Sequence, residues 1–260
     1  MNSEIVRLVA LVIFAICSSI VCADEAESNK QQHTFVIVHG AGGGGWDWKA
    51  VDQKLSADGN VVYRPTLTGL GERVHLANPD INLTTHIDDI VNVILFEDLQ
   101  DVVLVAHSYG GMVVTGVMNS IPERIKHAIF LDAAVPNDGM AAFDLWRKSA
   151  SDYKVVDGHV YFPWTDTKAP YPSDVPQSLK TFTEPVSYNN PSAQKLDVTY
   201  IAFVPLGMSI RERTDNSSWR NAESRNWTMR TFDGDHVVYR SRPAEIAELL
   251  EIAIKDRNQP

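Results

Sequence analysis

The sequence predicts an α/β fold in which a mostly parallel sheet is flanked by helices and interrupted by a small inserted lid. From residue 34 onward, short apolar runs alternate with longer amphipathic stretches, as in chains whose parallel strands are connected by helices. The chain has 260 residues, 44% of them hydrophobic, which is enough for a large single core. Between residues 137 and 196 the alternation fails, and this gap predicts the lid.

The predicted strands are short runs of β-branched and other apolar residues, typical of strands buried on both faces of a sheet. The run Val102–Ala106 is the most informative, because it leads directly to Ser108. The complete set of predicted strands is Thr34–Val38, Asn60–Tyr63, Val102–Ala106, Lys126–Leu131, Val198–Phe203 and Trp227–Phe232.

The predicted helices lie between these strands. In Thr84–Phe96 the apolar residues recur with a helical period, and Thr84 is the expected N-cap. A proline at position 243 marks the start of the last helix. The other predicted helices are Trp46–Ala57, Gly110–Ile121 and a stretch near Ser209–Glu223.

The segment 137–196 is rich in prolines and aromatic residues and shows no regular period. A connection of that length without structure of its own is uncommon in a compact domain. We therefore predict a lid at 137–196, inserted between two parts of the core domain at 24–136 and 197–260. Its aromatic side chains are expected to form an apolar pocket over the site.

Residues 1–23 have the pattern of a secretory signal peptide. Arg7 precedes an apolar run from Leu8 to Phe14, and the segment ends in small residues at Cys22 and Ala23. The alternative is a membrane anchor, but the run is shorter than the roughly 20 residues that a spanning helix needs. We expect a secreted or periplasmic protein. Both cysteines, Cys17 and Cys22, lie in this segment, so the mature chain is expected to contain no thiol or disulfide.

The formal net charge is −10, and the chain contains no run of lysine and arginine. Because nucleic acids and anionic membranes attract basic surfaces, this balance argues against either as a partner. The histidines show no paired spacing typical of a metal site, and we expect neither a metal nor a cofactor.

A strand, a tight turn and a helix surround Ser108 in the sequence Val102-Val-Leu-Val-Ala-His-Ser-Tyr-Gly-Gly-Met. This is the context of a nucleophile elbow, in which a sharp turn exposes a serine hydroxyl. The motif normally begins with glycine, and here Ala106 takes that place. The alternative is an ordinary strand-to-helix turn that happens to carry a serine.

A second motif, Val38-His-Gly-Ala-Gly-Gly-Gly-Gly-Trp, follows the first strand. Attack by a serine on an acyl carbon places negative charge on the carbonyl oxygen, which backbone N–H groups can stabilise. The expected donors of this oxyanion hole are the amides of Ala41 and Tyr109. Neither a dinucleotide-binding fingerprint nor a P-loop lysine is present to favour a nucleotide site.

The third motif, Phe232-Asp-Gly-Asp-His236, lies between the last strand and the last helix. A serine hydroxyl needs a base to accept its proton, and His236 follows Ser108 in the expected chain order. His39 and His107 lie beside the glycine-rich loop and the elbow, where packing or hydrogen-bonding roles are expected.

Together these motifs, with Pro65-Thr-Leu-Thr-Gly-Leu-Gly-Glu-Arg and Leu131-Asp-Ala, resemble the α/β-hydrolase superfamily over nearly the whole chain beyond residue 23. The closer resemblance is to small plant methylesterases, hydroxynitrile lyases and related bacterial esterases. It implies a serine, a histidine and an acid acting as a triad, without a cofactor.

The acid of the triad departs from the pattern of the family. Most members carry it after the strand that follows the lid, but Tyr200-Ile-Ala-Phe-Val-Pro-Leu-Gly-Met contains no carboxylate. Asp132 ends the preceding strand, a position that pancreatic-type lipases and zearalenone hydrolases use, and it is our first choice. Asp215 is the alternative; Asp138 and Asp235 are less well placed.

Resemblance to the lyases implies a threonine after the loop histidine and a lysine after the histidine of the triad, and here Gly40 and Val237 occupy those positions. The sequence therefore favours a serine esterase acting on a small hydrophobic or aromatic carboxylic ester or lactone. The alternatives are a hydroxynitrile lyase and a hydrolase homologue that binds its ligand without turnover.

Overall fold

The centre of the fold is a sheet of six parallel strands, seen in a computed structural model that describes residues 31–255. A second, three-stranded antiparallel sheet lies in the connection between the fourth and fifth strands of the large sheet. The strands in chain order are β1 (Thr34–Val38), β2 (Val61–Tyr63), β3 (Val102–His107), β4 (Ile125–Leu131), β5 (Lys154–Val156), β6 (His159–Tyr161), β7 (Gln177–Ser178), β8 (Val198–Val204) and β9 (Thr228–Asp233).

Helices cover both faces of the large sheet. Short 3₁₀ turns join several of them to the strands, including Gly45–Trp48 before the first helix. The helices are α1 (Lys49–Ala57), α2 (Leu83–Phe96), α3 (Gly110–Ser120), α4 (Ala142–Trp146), α5 (Lys180–Thr183), α6 (Ile210–Thr214), α7 (Ser217–Ser224), α8 (Val238–Ser241) and α9 (Pro243–Lys255).

The strand order in the large sheet is β2-β1-β3-β4-β8-β9, and every neighbouring pair is parallel. Side chains alternate between two hydrophobic clusters: Phe35 and Ile37 face one, Val36 and Val38 the other. Both faces of the sheet are therefore buried, which explains why the strands are almost continuously apolar. Their carboxyl ends meet at one edge, where ligands bind in open α/β sheets.

The predicted α/β fold is confirmed, and the six predicted strands of the large sheet agree with the observed bounds within one residue at each end. Two helix predictions were wrong in detail. The helix predicted at Thr84 begins at Leu83, because the side chain of Asn82 accepts a hydrogen bond from the amide of Thr85 at 2.9 Å and caps the helix. The stretch near Ser209–Glu223 forms two helices, α6 and α7, separated at Asp215.

The segment 137–196 folds as a small layer containing the three-stranded sheet and the helices α4 and α5. Its buried Phe182 stacks on Phe143 and also contacts the ring of Tyr109, the residue that follows Ser108. Aromatic packing of this kind fixes the layer against the nucleophile turn. That this segment functions as a lid is our proposal.

The predicted signal peptide at residues 1–23 lies outside the described residues. Within residues 31–255, no helix is both long and apolar enough to cross a membrane. The described chain from His33 onward forms one compact unit.

Candidate active site

Ser108 lies in the sharp turn between β3 and α3, with a backbone φ of 54°. A left-handed conformation is uncommon for serine and marks a backbone held in place by its surroundings. Helix α3 approaches β1 closely: a Cβ on Gly110 would lie 2.5 Å from the carbonyl oxygen of Val38, and one on Gly111 would overlap the backbone of Ala134. These contacts explain the two glycines after the serine.

His236 lies in the loop after β9, and its side chain is about half exposed. Its Nε2 atom is 2.9 Å from the Oγ atom of Ser108, and its Nδ1 atom is 2.6 Å from Oδ2 of Asp132. Because the carboxylate is acceptor-only, Nδ1–H donates to Asp132 and Nε2 is left to accept the hydroxyl proton of the serine. This is the hydrogen-bond chain expected of a nucleophile, a base and an orienting acid.

Asp132 directly follows β4, and its side chain is fully buried. Its second oxygen, Oδ1, accepts hydrogen bonds from the guanidinium of Arg213 and, at 3.3 Å, from the amide of Phe203. Burial acts to raise the pKa of this carboxyl, but the hydrogen bond and charge of His236 and those of Arg213 outweigh it and hold the pKa below its usual range. Asp132 is therefore ionised at neutral pH.

The alternative acids lie elsewhere. Asp215 is 77% exposed in its side chain and pairs with Arg220 at 2.5 Å, rather than with His236. Asp138 accepts the amide of Tyr188, and Asp235 accepts the amide of Val237. Of the four carboxylates considered from the sequence, only Asp132 contacts the imidazole within the described part of the chain.

Arg213 is a site residue that sequence reasoning missed. It lies in α6, just beyond the strand after which most family members carry their acid, and its Nε also donates to the carbonyl of Phe203 at 2.7 Å. The sequence Arg211-Glu-Arg213 offers two arginines, and nothing in it distinguishes the one that reaches Asp132. The absence of a carboxylate at the end of β8 was the one signal in the sequence that this segment differs from the usual pattern of the family.

Ala41 lies in the loop after β1 and borders the same cleft as Ser108, and Tyr109 directly follows Ser108. Neither amide donates a hydrogen bond to another protein group within residues 31–255. Buried His39 holds the loop: its Nδ1–H donates to the carbonyl of Gly40 at 2.8 Å, and its Nε2 accepts the amide of Leu67 at 3.1 Å. Burial lowers the pKa of His39, so it remains neutral and keeps both bonds.

Contacts from the segment 137–196 also hold this loop. The amide of Gly42 donates to the side chain of Gln177 at 2.9 Å, and its carbonyl accepts the amide of Val175 at 2.8 Å. Gln177 is itself buried and donates to Thr181. The backbone next to Ala41 is thus fixed from both sides.

His107 supports the histidine loop. Its Nε2–H donates to the backbone carbonyl of His236 at 2.8 Å, and the two rings lie 4.7 Å apart. Burial, together with repulsion from His236, lowers the pKa of His107 to about 3, so its ring is neutral. The expected hydrogen-bonding role of His107 is in agreement with this contact.

Two clefts meet at Ser108 and His236. The larger, which we call the aromatic cleft, has a volume of about 540 Å³ and is walled by Trp146, Tyr153, Phe162 and Tyr200. The smaller, which we call the acidic cleft, has a volume of about 370 Å³ and is lined by Asp47, Asp174 and Arg240, among others. The indole of Trp164 borders both clefts.

Within residues 31–255 no group of three histidine, cysteine or acidic side chains is placed to hold a metal ion.

A backbone of this topology, with a serine at the strand-to-helix turn and a histidine after the last strand, defines an α/β hydrolase. The model of the alpha/beta hydrolase family matches residues 35–249, and the chain belongs to that family.

Among curated proteins, the chain is 45% identical over 115 residues to the carbendazim hydrolyzing esterase of Nocardioides sp. (strain SG-4G), covering 44% of this chain and 48% of the relative. It is 25% identical over 209 residues to putative methylesterase 15 (chloroplastic) of Arabidopsis thaliana, covering 78% of this chain and 46% of the relative. The chain thus spans about half the length of these relatives.

Among solved structures, the fold is similar to an extracellular α/β-hydrolase from a Paenibacillus species, with a TM-score of 0.65, 22% identity and coverage of 85% of this chain and 98% of the other. It is also similar to a pyrethroid hydrolase from Sphingobium faniae JZ-2, with a TM-score of 0.65, 18% identity and coverage of 88% and 100%. At these identities the likeness concerns the fold.

Proposed function

We propose that this protein is a serine esterase that hydrolyses a small carboxylic ester or lactone with a hydrophobic or aromatic part. The observation that carries the proposal is the continuous hydrogen-bond chain from Ser108 through His236 to the ionised Asp132. The named activities of the relatives, a carbendazim hydrolyzing esterase and methylesterases, support an ester as the substrate.

In the acylation step, the Oγ atom of Ser108 attacks the ester carbonyl while Nε2 of His236 takes the hydroxyl proton. The buried carboxylate of Asp132 stabilises the imidazolium that forms. The amides of Ala41 and Tyr109 donate to the negatively charged oxygen of the tetrahedral intermediate. His236 then gives its proton to the departing alcohol oxygen, and the acyl group remains bonded to Ser108.

Deacylation repeats the sequence with water. His236 removes a proton from a water molecule, whose oxygen attacks the acyl carbon, and the same proton returns to Ser108 as the acid leaves. For a lactone, the alcohol and the acid are parts of one product. No step requires a metal or a cofactor.

The walls of the aromatic cleft are the basis for the proposed substrate class. Aromatic and apolar side chains favour flat hydrophobic groups, and the volume of about 540 Å³ fits a small molecule.

The two alternative functions are less well supported. Gly40 and Val237 both border the acidic cleft and carry no group that transfers a proton, which disfavours the hydroxynitrile lyase. The intact serine–histidine contact disfavours a homologue that only binds its ligand.

The test is reaction with a fluorophosphonate probe and hydrolysis of aryl acetates by Ser108→Ala. We expect loss of both labelling and turnover. Ser217→Ala is the matched control and should retain both. Ser217 borders the aromatic cleft and, within the described residues, makes no hydrogen bond to Ser108, His236 or Asp132. Aryl ester hydrolysis that persists in Ser108→Ala would disprove the mechanism.

We also propose that residues 1–23 are a cleaved signal and that the protein is exported. The expected result is a mature protein whose N-terminus is Asp24, detected by mass spectrometry of the extracellular or periplasmic fraction. Retention of Met1 in that fraction would contradict the proposal.

A further inference from the structure

The charged side chains that border the two clefts at Ser108 sum to opposite formal charges, positive for the aromatic cleft and negative for the acidic cleft. The aromatic cleft is bordered by three arginines and two aspartates, and the acidic cleft by two aspartates and one arginine. An ester has two arms, one on each side of its carbonyl carbon, and the two clefts give each arm a place. The charges of the walls therefore favour different chemistry on the two arms.

Of the two aspartates in the acidic cleft, Asp47 is fully engaged within the protein. Its carboxylate accepts the hydroxyl of Tyr239 at 2.6 Å and both Nε and Nη2 of Arg240 at 2.7 Å. Its side chain is 6% exposed. Asp47 therefore neutralises Arg240, and both of its carboxylate oxygens already accept hydrogen bonds from the protein.

Asp174 is less fully engaged. Its side chain is 16% exposed, and it forms an ion pair with the guanidinium of Arg240 at 3.6 Å. Within the described range its carboxylate accepts no hydrogen bond, and Arg240 is already neutralised by Asp47. Its backbone is held in place because the next residue, Val175, donates to the carbonyl of Gly42. A carboxylate that is mostly removed from water gains strongly from a donor or a cation that completes its hydrogen bonds.

A second acceptor lies in the wall of the same cleft, on His107. Because Nε2–H of His107 donates to the carbonyl of His236, its Nδ1 carries a lone pair, and this atom is buried without a hydrogen-bond partner. Gly40, which borders the same cleft, approaches it closely, because a Cβ on Gly40 would lie 3.1 Å from this nitrogen. Only 2% of His107 is exposed. The wall of this cleft thus combines the carboxylate of Asp174 with a second acceptor, Nδ1 of His107.

We infer that the acidic cleft binds a cationic group on one arm of the substrate, with Asp174 as the specificity-determining residue. This inference rests on the proposed esterase function and narrows its substrate class to esters that combine an aromatic arm with a positively charged one. The exposed face of Trp164, at the junction of the clefts, provides a further surface on which a cation is stabilised.

The experiment compares pairs of esters that differ only in replacing a quaternary nitrogen by carbon. Choline benzoate is paired with 3,3-dimethylbutyl benzoate, which places the cation on the alcohol arm. Phenyl 4-(trimethylammonio)butanoate is paired with phenyl 5,5-dimethylhexanoate, which places it on the acyl arm. We expect kcat/KM to favour the cationic ester in one pair by about tenfold, the order of magnitude of one coulombic contact between a cation and a carboxylate in a partly exposed cleft.

In Asp174→Asn the ratio of kcat/KM between the cationic and the neutral ester of that pair should fall to about unity. The matched control is Asp101→Asn, because Asp101 precedes β3 and so lies at the opposite edge of the sheet from Ser108. That variant should keep the full preference. Equal rates for the cationic and neutral esters in both pairs, or a preference that survives in Asp174→Asn, would overturn the inference.

A binding measurement makes the test independent of turnover. Titration of Ser108→Ala with the cationic ester of the preferred pair, followed by tryptophan fluorescence, should give a dissociation constant about tenfold higher when Asp174→Asn is added. An unchanged constant would overturn the inference. If the wild type hydrolyses neutral esters in a Ser108-dependent way without preferring cations, the proposed function stands and only this inference fails; if it hydrolyses no ester, the proposed function fails.

Discussion

The guanidinium of Arg213 binds the carboxylate of Asp132 on the oxygen that faces away from the imidazole. Each carboxylate oxygen therefore has its own charged or polar partners: Oδ1 accepts from Arg213 and the amide of Phe203, and Oδ2 accepts from His236. The arginine comes from the segment where most family members carry the acid. In this chain the proposed acid, Asp132, lies one strand earlier, and the later position supplies its counter-ion.

Replacing Asp132 by asparagine should lower kcat by about 10³- to 10⁴-fold, because the amide neither fixes the required tautomer nor stabilises the imidazolium. Asp215→Asn is the matched control, and it should remain within about twofold of the wild type, since Asp215 pairs with Arg220 at the surface. Steady-state kinetics on an aryl ester, with circular dichroism to verify folding, provides the measurement. The reverse order of the two losses would show that Asp215 is the acid.

Replacing Arg213 by methionine should lower kcat/KM by about tenfold, because the buried carboxylate loses a charge-assisted hydrogen bond and is oriented less firmly. Arg213→Lys should recover part of the loss. Arg211→Met, a change of the exposed arginine two positions earlier, should have no measurable effect. The decisive measurement is the double variant: if Arg213 acts through Asp132, Arg213→Met should add almost nothing to Asp132→Asn. Fully additive losses would mean an independent role.

Gly111→Ala should destabilise the protein by about 3 kcal/mol or more, measured by urea denaturation. Glycine to alanine in a helix ordinarily stabilises, but here the added Cβ would overlap the backbone of Ala134. Gly43→Ala should cost less than about 1 kcal/mol, because the nearest atom to its Cβ lies at 3.6 Å. Similar losses of unfolding free energy in the two variants would contradict the close approach of α3 to the backbone of Ala134.

The lowered pKa of Asp132 predicts a pH dependence of stability. The folded protein holds this pKa below the ordinary value of 3.8. Ionised Asp132 therefore stabilises the fold, and this contribution is fully present at pH values above the ordinary pKa. It is lost as the pH falls through the lower pKa of the folded state. The free energy of unfolding of the wild type should therefore exceed that of Asp132→Asn by a constant amount near neutrality and by less below about pH 4. An excess that grows on acidification would contradict the assignment.

The sequence was sufficient to predict the strands of the large sheet, because they are buried on both faces and are therefore continuous apolar runs. Asn82 was overlooked as the cap because the apolar pattern suggested a start at Thr84, whereas the buried Leu83 already belongs to the helix. Ser108 and His236 carry local motifs, and Asp132 ends a strand beside the elbow. Arg213 and Asp174 matter only through contacts between distant parts of the chain, which no local pattern reveals.

The hydrogen bond between Gly42 and Gln177 joins residues 135 positions apart. The backbone beside Ala41 reaches its final conformation only when the segment carrying Gln177 has docked against it. During folding, the strands can pair and the serine turn can form before this happens. We therefore expect refolding protein to regain its sheet, seen by circular dichroism, before it regains hydrolytic activity, with the delay set by docking of the segment 137–196.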